Sequence, residues 1–162
     1  MFFRGYRESE FDFACQLRGI SDVMAKNEYR PRFLATGNWQ DHYLDYVVDV
    51  EGKPVGEVQL RHCTKTMPDG VLEFGIEIAP EFQSMGYGSA ATSAITQMMF
   101  DQGYHRISGS TDSENLAMQR VFEKAGWVLE GTLHALFLLD GKPRNYLSYS
   151  RTVLSVSSQS RL

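Results

Sequence analysis

The chain has 162 residues, of which 43% are hydrophobic and 22% charged, and its formal net charge is −4. This is the composition of an ordinary globular protein, long enough to bury a core without disulfide or metal staples. The acidic balance, with no basic block, argues against an electrostatic nucleic-acid surface. No apolar run approaches the ~20 residues of a membrane-spanning helix. We therefore expect a single cytoplasmic domain over residues 1–154, followed by a flexible serine-rich tail over 155–162.

The amino-terminal part of the chain predicts one short strand and three helices. A strand is expected over 1–4, and the apolar spacing predicts helices over 8–18 and 21–27. Pro31 predicts a break over 28–33, because proline disfavours the helical conformation in the residue before it. A further short helix is expected over 39–44.

Residues 43–78 predict an antiparallel meander, and the rest of the chain alternates helices with strands. Strand-forming runs over 43–50, 55–62 and 71–78 are separated by turn residues. Helices are then predicted over 91–100 and 116–125, with a strand over 105–111 between them. Gly131 predicts a bulge or bend, and Asp140-Gly141 between two apolar runs predicts the turn of a final hairpin. The pattern indicates an α+β fold with a mixed sheet.

A glycine-containing segment, residues 83–90, lies between a predicted strand and a predicted helix. A helix start offers backbone N–H groups without intrahelical partners and the positive end of the dipole, which favours an anion such as a phosphate. Gly86 and Gly88 lack side chains that would hold the anion away. The segment lacks the lysine of a nucleotide P-loop, and Ala91 stands where a dinucleotide fingerprint needs its third glycine. Two glycines alone are also typical of a tight turn.

Two motifs, in order, resemble those of a known family. The first follows a strand ending in proline and comprises Gln83, Gly86 and Gly88. The second, over 115–127, has Asn115, Phe122, Gly126 and Trp127 at the family's spacing. Together they resemble the pyrophosphate loop and following helix of the GNAT superfamily of acetyl-CoA-dependent N-acetyltransferases. The resemblance covers roughly residues 55–154. The closing part is similar to the RimJ/RimL-like branch, which acetylates ribosomal-protein N-termini, at Asp140, Gly141, Lys142, Tyr146 and Tyr149.

The resemblance implies a GNAT-like α+β fold whose mixed, mostly antiparallel sheet has about seven strands and about four flanking helices. Strands 4 and 5 would splay apart. It also implies acetyl-CoA as co-substrate. The residues themselves offer no metal-ligand cluster and no membrane span, so no metal and no membrane partner are expected, and a homodimer stays open. The cofactor-binding residues expected on this basis are Ile76, Ile78, Gln83, Ser84, Met85, Gly86, Tyr87, Gly88, Ser89, Ala90, Asn115 and Phe122.

The implied reaction is acetyl transfer to a primary amine, on a protein N-terminus or a small molecule, by direct attack in a ternary complex. The first candidate base is Glu77, since flanking isoleucines would raise the pKa of its carboxyl by desolvation. The alternatives are Glu57, Glu73 and His62. Asn115 would bond the pantetheine or the incoming amine.

Phe122 departs from the family pattern. Many relatives have a tyrosine there, whose phenol is taken to reprotonate the departing thiolate, and a phenylalanine cannot donate a proton. A second function therefore stays open, a coenzyme A-binding module that does not catalyse or that acts as a sensor. A third is an acyltransferase that uses a longer acyl donor, since a slightly wider cleft would take longer chains.

Overall fold

The computed structural model describes residues 1–153, so the predicted tail over 155–162 lies outside the described residues. Within that range two short 3₁₀ turns, at Glu8–Glu10 and Pro80–Phe82, accompany the main elements. These are β1 (Phe2–Arg4), α1 (Phe11–Leu17), α2 (Val23–Leu34), β2 (Tyr43–Val50), β3 (Lys53–Arg61), β4 (Val71–Ile78), α3 (Tyr87–Asp101), β5 (Arg106–Asp112), α4 (Leu116–Lys124), β6 (Val128–Leu139) and β7 (Lys142–Thr152).

All seven strands of the described residues form one sheet in the order β1-β2-β3-β4-β5-β7-β6. Neighbouring strands run antiparallel, except that β4 and β5 are parallel. A parallel pair needs a crossover, which α3 supplies, whereas the other neighbours need only turns or short connections. The predicted mixed, mostly antiparallel sheet is confirmed.

The two faces of the sheet differ in polarity, because successive residues of a strand point to opposite sides. On one face Leu44 and Val48 of β2 join the main core, which also contains Ile95 of α3 and Phe122 of α4. On the other face the alternate β2 residue Asp45 is fully buried and pairs with an arginine of α2. We call these the apolar face and the polar face of the sheet.

The predicted break over 28–33 is wrong, since α2 continues through Pro31 to Leu34. The helix starts with a cap, in which the Ala25 N–H donates to the Asp22 carboxylate at 2.9 Å. Tyr29 and Phe33 are buried in a small cluster with α1. Burying two aromatic side chains stabilises by ~1.5–3 kcal/mol each, which offsets the ~3 kcal/mol cost of an internal proline.

The predicted helix over 39–44 is also wrong. Gln40 and Tyr43 exchange backbone hydrogen bonds of 2.7 and 2.8 Å across a tight turn, and Asp41 there has a φ of 50°. Strand β2 already begins at Tyr43, because the alternation of apolar residues extends to that position.

The final hairpin matches its prediction at both special positions. Its turn has Asp140 and Gly141 at positive φ, and a register shift between Leu129 and Gly131 confirms the bulge. Strand β6 forms the edge of the sheet, and every one of its residues is exposed.

Candidate active site

Strands β4 and β5 part after a short parallel contact. Their register comprises three pairs and ends at Glu73 and Ser108. The two chains are still close at the next position, where a Cβ on Gly109 would lie 3.0 Å from the Phe74 carbonyl oxygen. Beyond that point β5 pairs with β7, while β4 runs on to Ile78 with no β5 partner in the described register. This confirms the predicted splay.

The splay opens into a cleft of about 410 Å³ on the side of α3 and α4. Its walls are the end of β4, the glycine segment and one side of α4. The lining residues are Ile76, Glu77, Ile78, Phe82, Gln83, Ser84, Gly86, Gly88, Ser89, Asn115, Ala117, Met118, Arg120, Val121 and Lys124. The cleft thus brings together eight of the twelve predicted cofactor-binding residues.

The glycine segment presents the start of α3 to this cleft. Ser84 and Gly86 have positive φ values of 62° and 84°, and Gly86 is the residue before the first helical turn. The N–H groups of that turn have no intrahelical partners and lie at the positive end of a 15-residue helix. Gln83 fixes the path of the chain between β4 and α3, because its side-chain amide donates a hydrogen bond to the Ile78 carbonyl oxygen at 2.9 Å. An anionic group fits this wall.

Gly88 permits the close packing of α3 on α4. A Cβ at this position would lie 3.2 Å from Cγ2 of Val121, so a larger side chain would push into the cleft wall. The absence of a side chain at Gly88 therefore keeps the cleft open and lets a ligand approach the backbone of the glycine segment.

Helix α4 contributes a cap and two cations. Asn115 caps it, since the Met118 N–H donates to the Asn115 side-chain oxygen at 3.0 Å. Arg120 and Lys124, four residues apart, line the cleft beside the glycine segment. Neither cation is among the residues predicted from the sequence, although their spacing with Ala117 predicts a common helix face.

Four predicted cofactor-binding residues do not line the cleft: Met85, Tyr87, Ala90 and Phe122. The first three belong to the glycine segment and would contribute only their backbone. Phe122 lies in the core, 1% exposed, with its ring stacked on Trp127 and Tyr149 at centroid distances of 4.8 and 4.9 Å. Its predicted role as a cofactor-binding residue stays a prediction.

A second cavity, of about 280 Å³, lies on the polar face of the sheet, where α1 meets the end of β4. It is lined by Phe13, Gln16, Leu17, Glu77, Ala79, Pro80 and Glu81. Glu77 lines this cavity and the larger cleft as well, so the residue lies between them. Partial burial raises the pKa of Glu77 above its ordinary value.

The alternative bases line neither cavity. The Glu57 carboxylate accepts a hydrogen bond from Arg18, and that of Glu73 accepts one from Arg61. The Nδ1 atom of His62 lies 2.9 Å from the Val71 carbonyl oxygen.

Residues 1–153 contain no group of three or more histidine, cysteine or acidic side chains that could hold a metal ion. None of their helices is both long and apolar enough to cross a membrane.

A helix start suited to an anion, a splayed strand pair and Glu77 together line one cleft, which is the arrangement expected of a group-transfer enzyme with a phosphate-bearing donor. The chain belongs to the acetyltransferase (GNAT) domain family, whose sequence profile matches residues 2–128. It is therefore an acetyltransferase of that family. No curated protein matches the chain significantly.

Solved acetyltransferases share the fold at low sequence identity. A mutant form of spermidine N-acetyltransferase SpeG from Vibrio cholerae has a TM-score of 0.81 at 19% identity, covering 99% of this chain and 100% of that one. The SpeG complex with CoA and spermine has a TM-score of 0.77 at 19% identity, covering 95% and 96%. A ribosomal-protein-alanine N-acetyltransferase from Brucella melitensis has a TM-score of 0.74 at 13% identity, covering 94% and 100%. At these identities the likeness shows the fold.

Proposed function

We propose that the chain transfers an acetyl group from acetyl-CoA, held in the larger cleft, to a primary amine that enters through the smaller cavity. The observation that carries this proposal is the position of Glu77, which lines both cavities. A group at that junction can reach the nitrogen of an acceptor from one side and the thioester from the other.

The donor side is built for a dianionic pyrophosphate. Backbone N–H groups at the start of α3 donate hydrogen bonds to the pyrophosphate oxygens, and Arg120 and Lys124 add positive charge along the same cleft. The apolar side chains of Ile76, Ile78 and Val121 suit the pantetheine arm. These residues fit the co-substrate that the family implies.

The acceptor side favours a cationic aliphatic amine. The smaller cavity combines apolar walls from Phe13, Leu17 and Pro80 with the two carboxylates Glu77 and Glu81. Carboxylates attract an ammonium group, while the apolar walls take the methylene chain next to it. Similar structures include spermidine N-acetyltransferases, so polyamines lead the panel of acceptors to test and N-terminal peptides follow.

The chemistry needs a neutral amine. Glu77 accepts a proton from the bound ammonium, and the neutral nitrogen bonds to the thioester carbonyl carbon. The carbon–sulfur bond then breaks, and the proton that the nitrogen loses goes to the departing thiolate, which is released as coenzyme A. Backbone N–H groups of β4 beyond its last β5 pair can donate to the carbonyl oxygen as it gains charge. The thiolate leaves without a tyrosine at position 122, since thiols have pKa values of ~8.5 and their anions are good leaving groups.

The test is thiol release by the purified chain with acetyl-CoA and a panel of polyamines, N-terminal peptides, lysine and amino sugars. We expect steady turnover with a cationic aliphatic amine. Tight acetyl-CoA binding without thiol release for any amine would support a sensory module instead. Faster turnover with propionyl- or succinyl-CoA would identify a longer acyl donor.

Asn115 should serve both the fold and the co-substrate. Asn115→Ala should lower the free energy of unfolding by ~1 kcal/mol through loss of the cap and also raise the KM for acetyl-CoA. Asn115→Asp is the matched variant, because it keeps a capping oxygen while it replaces the side-chain N–H donor by a negatively charged oxygen. We expect Asn115→Asp to keep the stability and still raise KM, in denaturation and steady-state assays. An unchanged KM in Asn115→Asp would reduce the role of the residue to the cap.

Arg120 and Lys124 should hold the phosphates electrostatically. Arg120→Gln and Lys124→Gln should each weaken acetyl-CoA binding several-fold in calorimetry at low salt, with a smaller effect at ~0.5 M salt because added ions screen the attraction. Lys142→Gln, at the hairpin turn, is the control and should bind like the parent. Full affinity in the double variant Arg120→Gln/Lys124→Gln would contradict the assignment.

A further inference from the structure

A cluster of charged and phenolic side chains lies on the polar face of the sheet, directly beside the smaller cavity. Arg18, the residue that ends α1, donates a hydrogen bond to the Glu57 carboxylate of β3 and lies 3.5 Å from the Asp45 carboxylate of β2. Its guanidinium also lies 5.0 Å from the centre of the Tyr29 ring of α2. One side chain thus connects α1 to two strands and to the other helix of this face.

Stability alone does not account for this cluster. The Glu57 side chain is only 7% exposed and that of Asp45 is fully buried. Among the described residues, four buried atoms here lack a hydrogen bond of standard geometry: Tyr6 Oη, Arg18 Nε, Tyr29 Oη and Glu57 Oε2. A buried polar atom left unsatisfied costs ~1–3 kcal/mol. Buried ion pairs can often be replaced by apolar residues without loss of stability.

The negative charge of Asp45 is compensated by partners other than Arg18. Arg32 forms a two-pronged contact with the Asp45 carboxylate at 2.7 and 3.0 Å, and the Gln59 amide donates to it at 3.1 Å. The contact that depends on Arg18 is the one with Glu57.

The position of Glu57 links the ion pair to the proposed chemistry. Glu57 is directly opposite Glu77 in the register of β3 and β4, so both side chains stand on the same face with Cβ atoms ~5 Å apart. On the helix side, Gln16 and Leu17 come immediately before Arg18 and form the wall of the smaller cavity that faces Glu77. Arg18 and Glu57 do not line that cavity, but their ion pair connects the end of its α1 wall to the strand next to Glu77.

The rest of α1 is attached elsewhere. Ala14 and Cys15 are buried against Tyr29 and Phe33 of α2, which fixes α1 to α2 through apolar contacts. Arg18 supplies the connection from the end of α1 to the sheet.

We propose that Arg18 and Glu57 are a positioning pair for the acceptor amine, which holds the α1 wall at a fixed distance from Glu77. This inference rests on the proposed function of the smaller cavity. It requires the pair to affect acceptor binding and to leave acetyl-CoA binding unchanged, because the larger cleft is built from other elements.

The test replaces both charges at once, in the variant Arg18→Met/Glu57→Leu, so that no buried charge is left unpaired. We expect the midpoint of thermal unfolding to be no lower than in the parent and the acetyl-CoA affinity to stay within about twofold. We expect the KM for the amine to rise about tenfold or more, with kcat at saturating amine reduced less than about threefold. Arg18→Lys, which keeps the charge, should give an intermediate KM.

The control is Arg106→Met/Glu130→Leu, which removes an ion pair of 2.5 Å between β5 and β6 that lines neither cavity. It should leave both KM values unchanged. A parental amine KM in a folded Arg18→Met/Glu57→Leu variant would overturn the proposal. If that variant does not fold, Arg18→Lys is measured in its place, and a parental amine KM there has the same meaning.

A second measurement separates this inference from the proposed function. Amide hydrogen exchange should become faster over residues 11–20 in Arg18→Met/Glu57→Leu and stay unchanged over 83–101. Unchanged exchange over 11–20 would overturn the positioning role even in an active enzyme. Faster exchange in a chain that acetylates no amine would support the structural link and refute the proposed function alone.

Discussion

Gly88→Asp should abolish most of the affinity for acetyl-CoA, weakening binding at least ~100-fold, which corresponds to ~2.8 kcal/mol. Two effects act in the same direction. The new Cβ would lie 3.2 Å from Val121 Cγ2, so the Val121 side chain must give way by a few tenths of an ångström. The new carboxylate would also lie in the cleft where the phosphates bind, and like charges repel strongly at a partly buried site. Calorimetric titration with acetyl-CoA measures the loss.

Two further variants separate these effects. Gly88→Ala adds the Cβ without the charge and should weaken binding much less. Gly131→Asp adds the same charge on β6, where a Cβ would meet nothing within 4 Å, and should bind like the parent. Equal affinity of Gly88→Asp and the parent would refute the placement of the pyrophosphate at the start of α3.

The donor side of the site could be predicted from sequence because its signals are local. The glycine segment lies between one strand and the next helix, so its position at a helix start follows from the order of elements. Asn115 could be predicted as a cap for the same reason, since a cap is determined within a few residues. Such short-range rules need no knowledge of how the chain packs.

The acceptor side could not be predicted because it depends on contacts between distant parts of the chain. The smaller cavity brings residues 13–17 of α1 against residues 77–81, and no periodicity in either segment indicates that meeting. The position of α1 depends on its packing against Phe33 of α2. Phe33 lies in the segment where Pro31 predicts a break, but the helix continues there because tertiary packing outweighs the local preference. A binding role for Arg120 and Lys124 could not be predicted, because it depends on the packing of their helix face beside the glycine segment.

Glu77→Gln should keep the fold and lower turnover ~100-fold or more at pH 7, the range expected for loss of a general base. Burial raises the pKa of Glu77 above its ordinary value of 4.5, so the folded state favours the protonated carboxyl. The stability from that preference is present at low pH and lost as the pH rises through the raised pKa. At neutral pH the uncharged glutamine should therefore be at least as stable as glutamate, and unfolding cannot account for the lost rate.

The pH profile gives the decisive measurement for Glu77. In the parent, kcat/KM should rise with pH through the raised pKa of Glu77, because only the ionised carboxylate accepts a proton. In Glu77→Gln that step should be absent, and the rate should recover toward that of the parent near pH ~10, where alkyl amines with pKa values of ~10.4 lose their proton unaided. Glu73→Gln is the matched control on the same strand and face, since Glu73 lines neither cavity, and it should keep the parental rate. A Glu77→Gln enzyme as fast as the parent at every pH would exclude this carboxylate as the base.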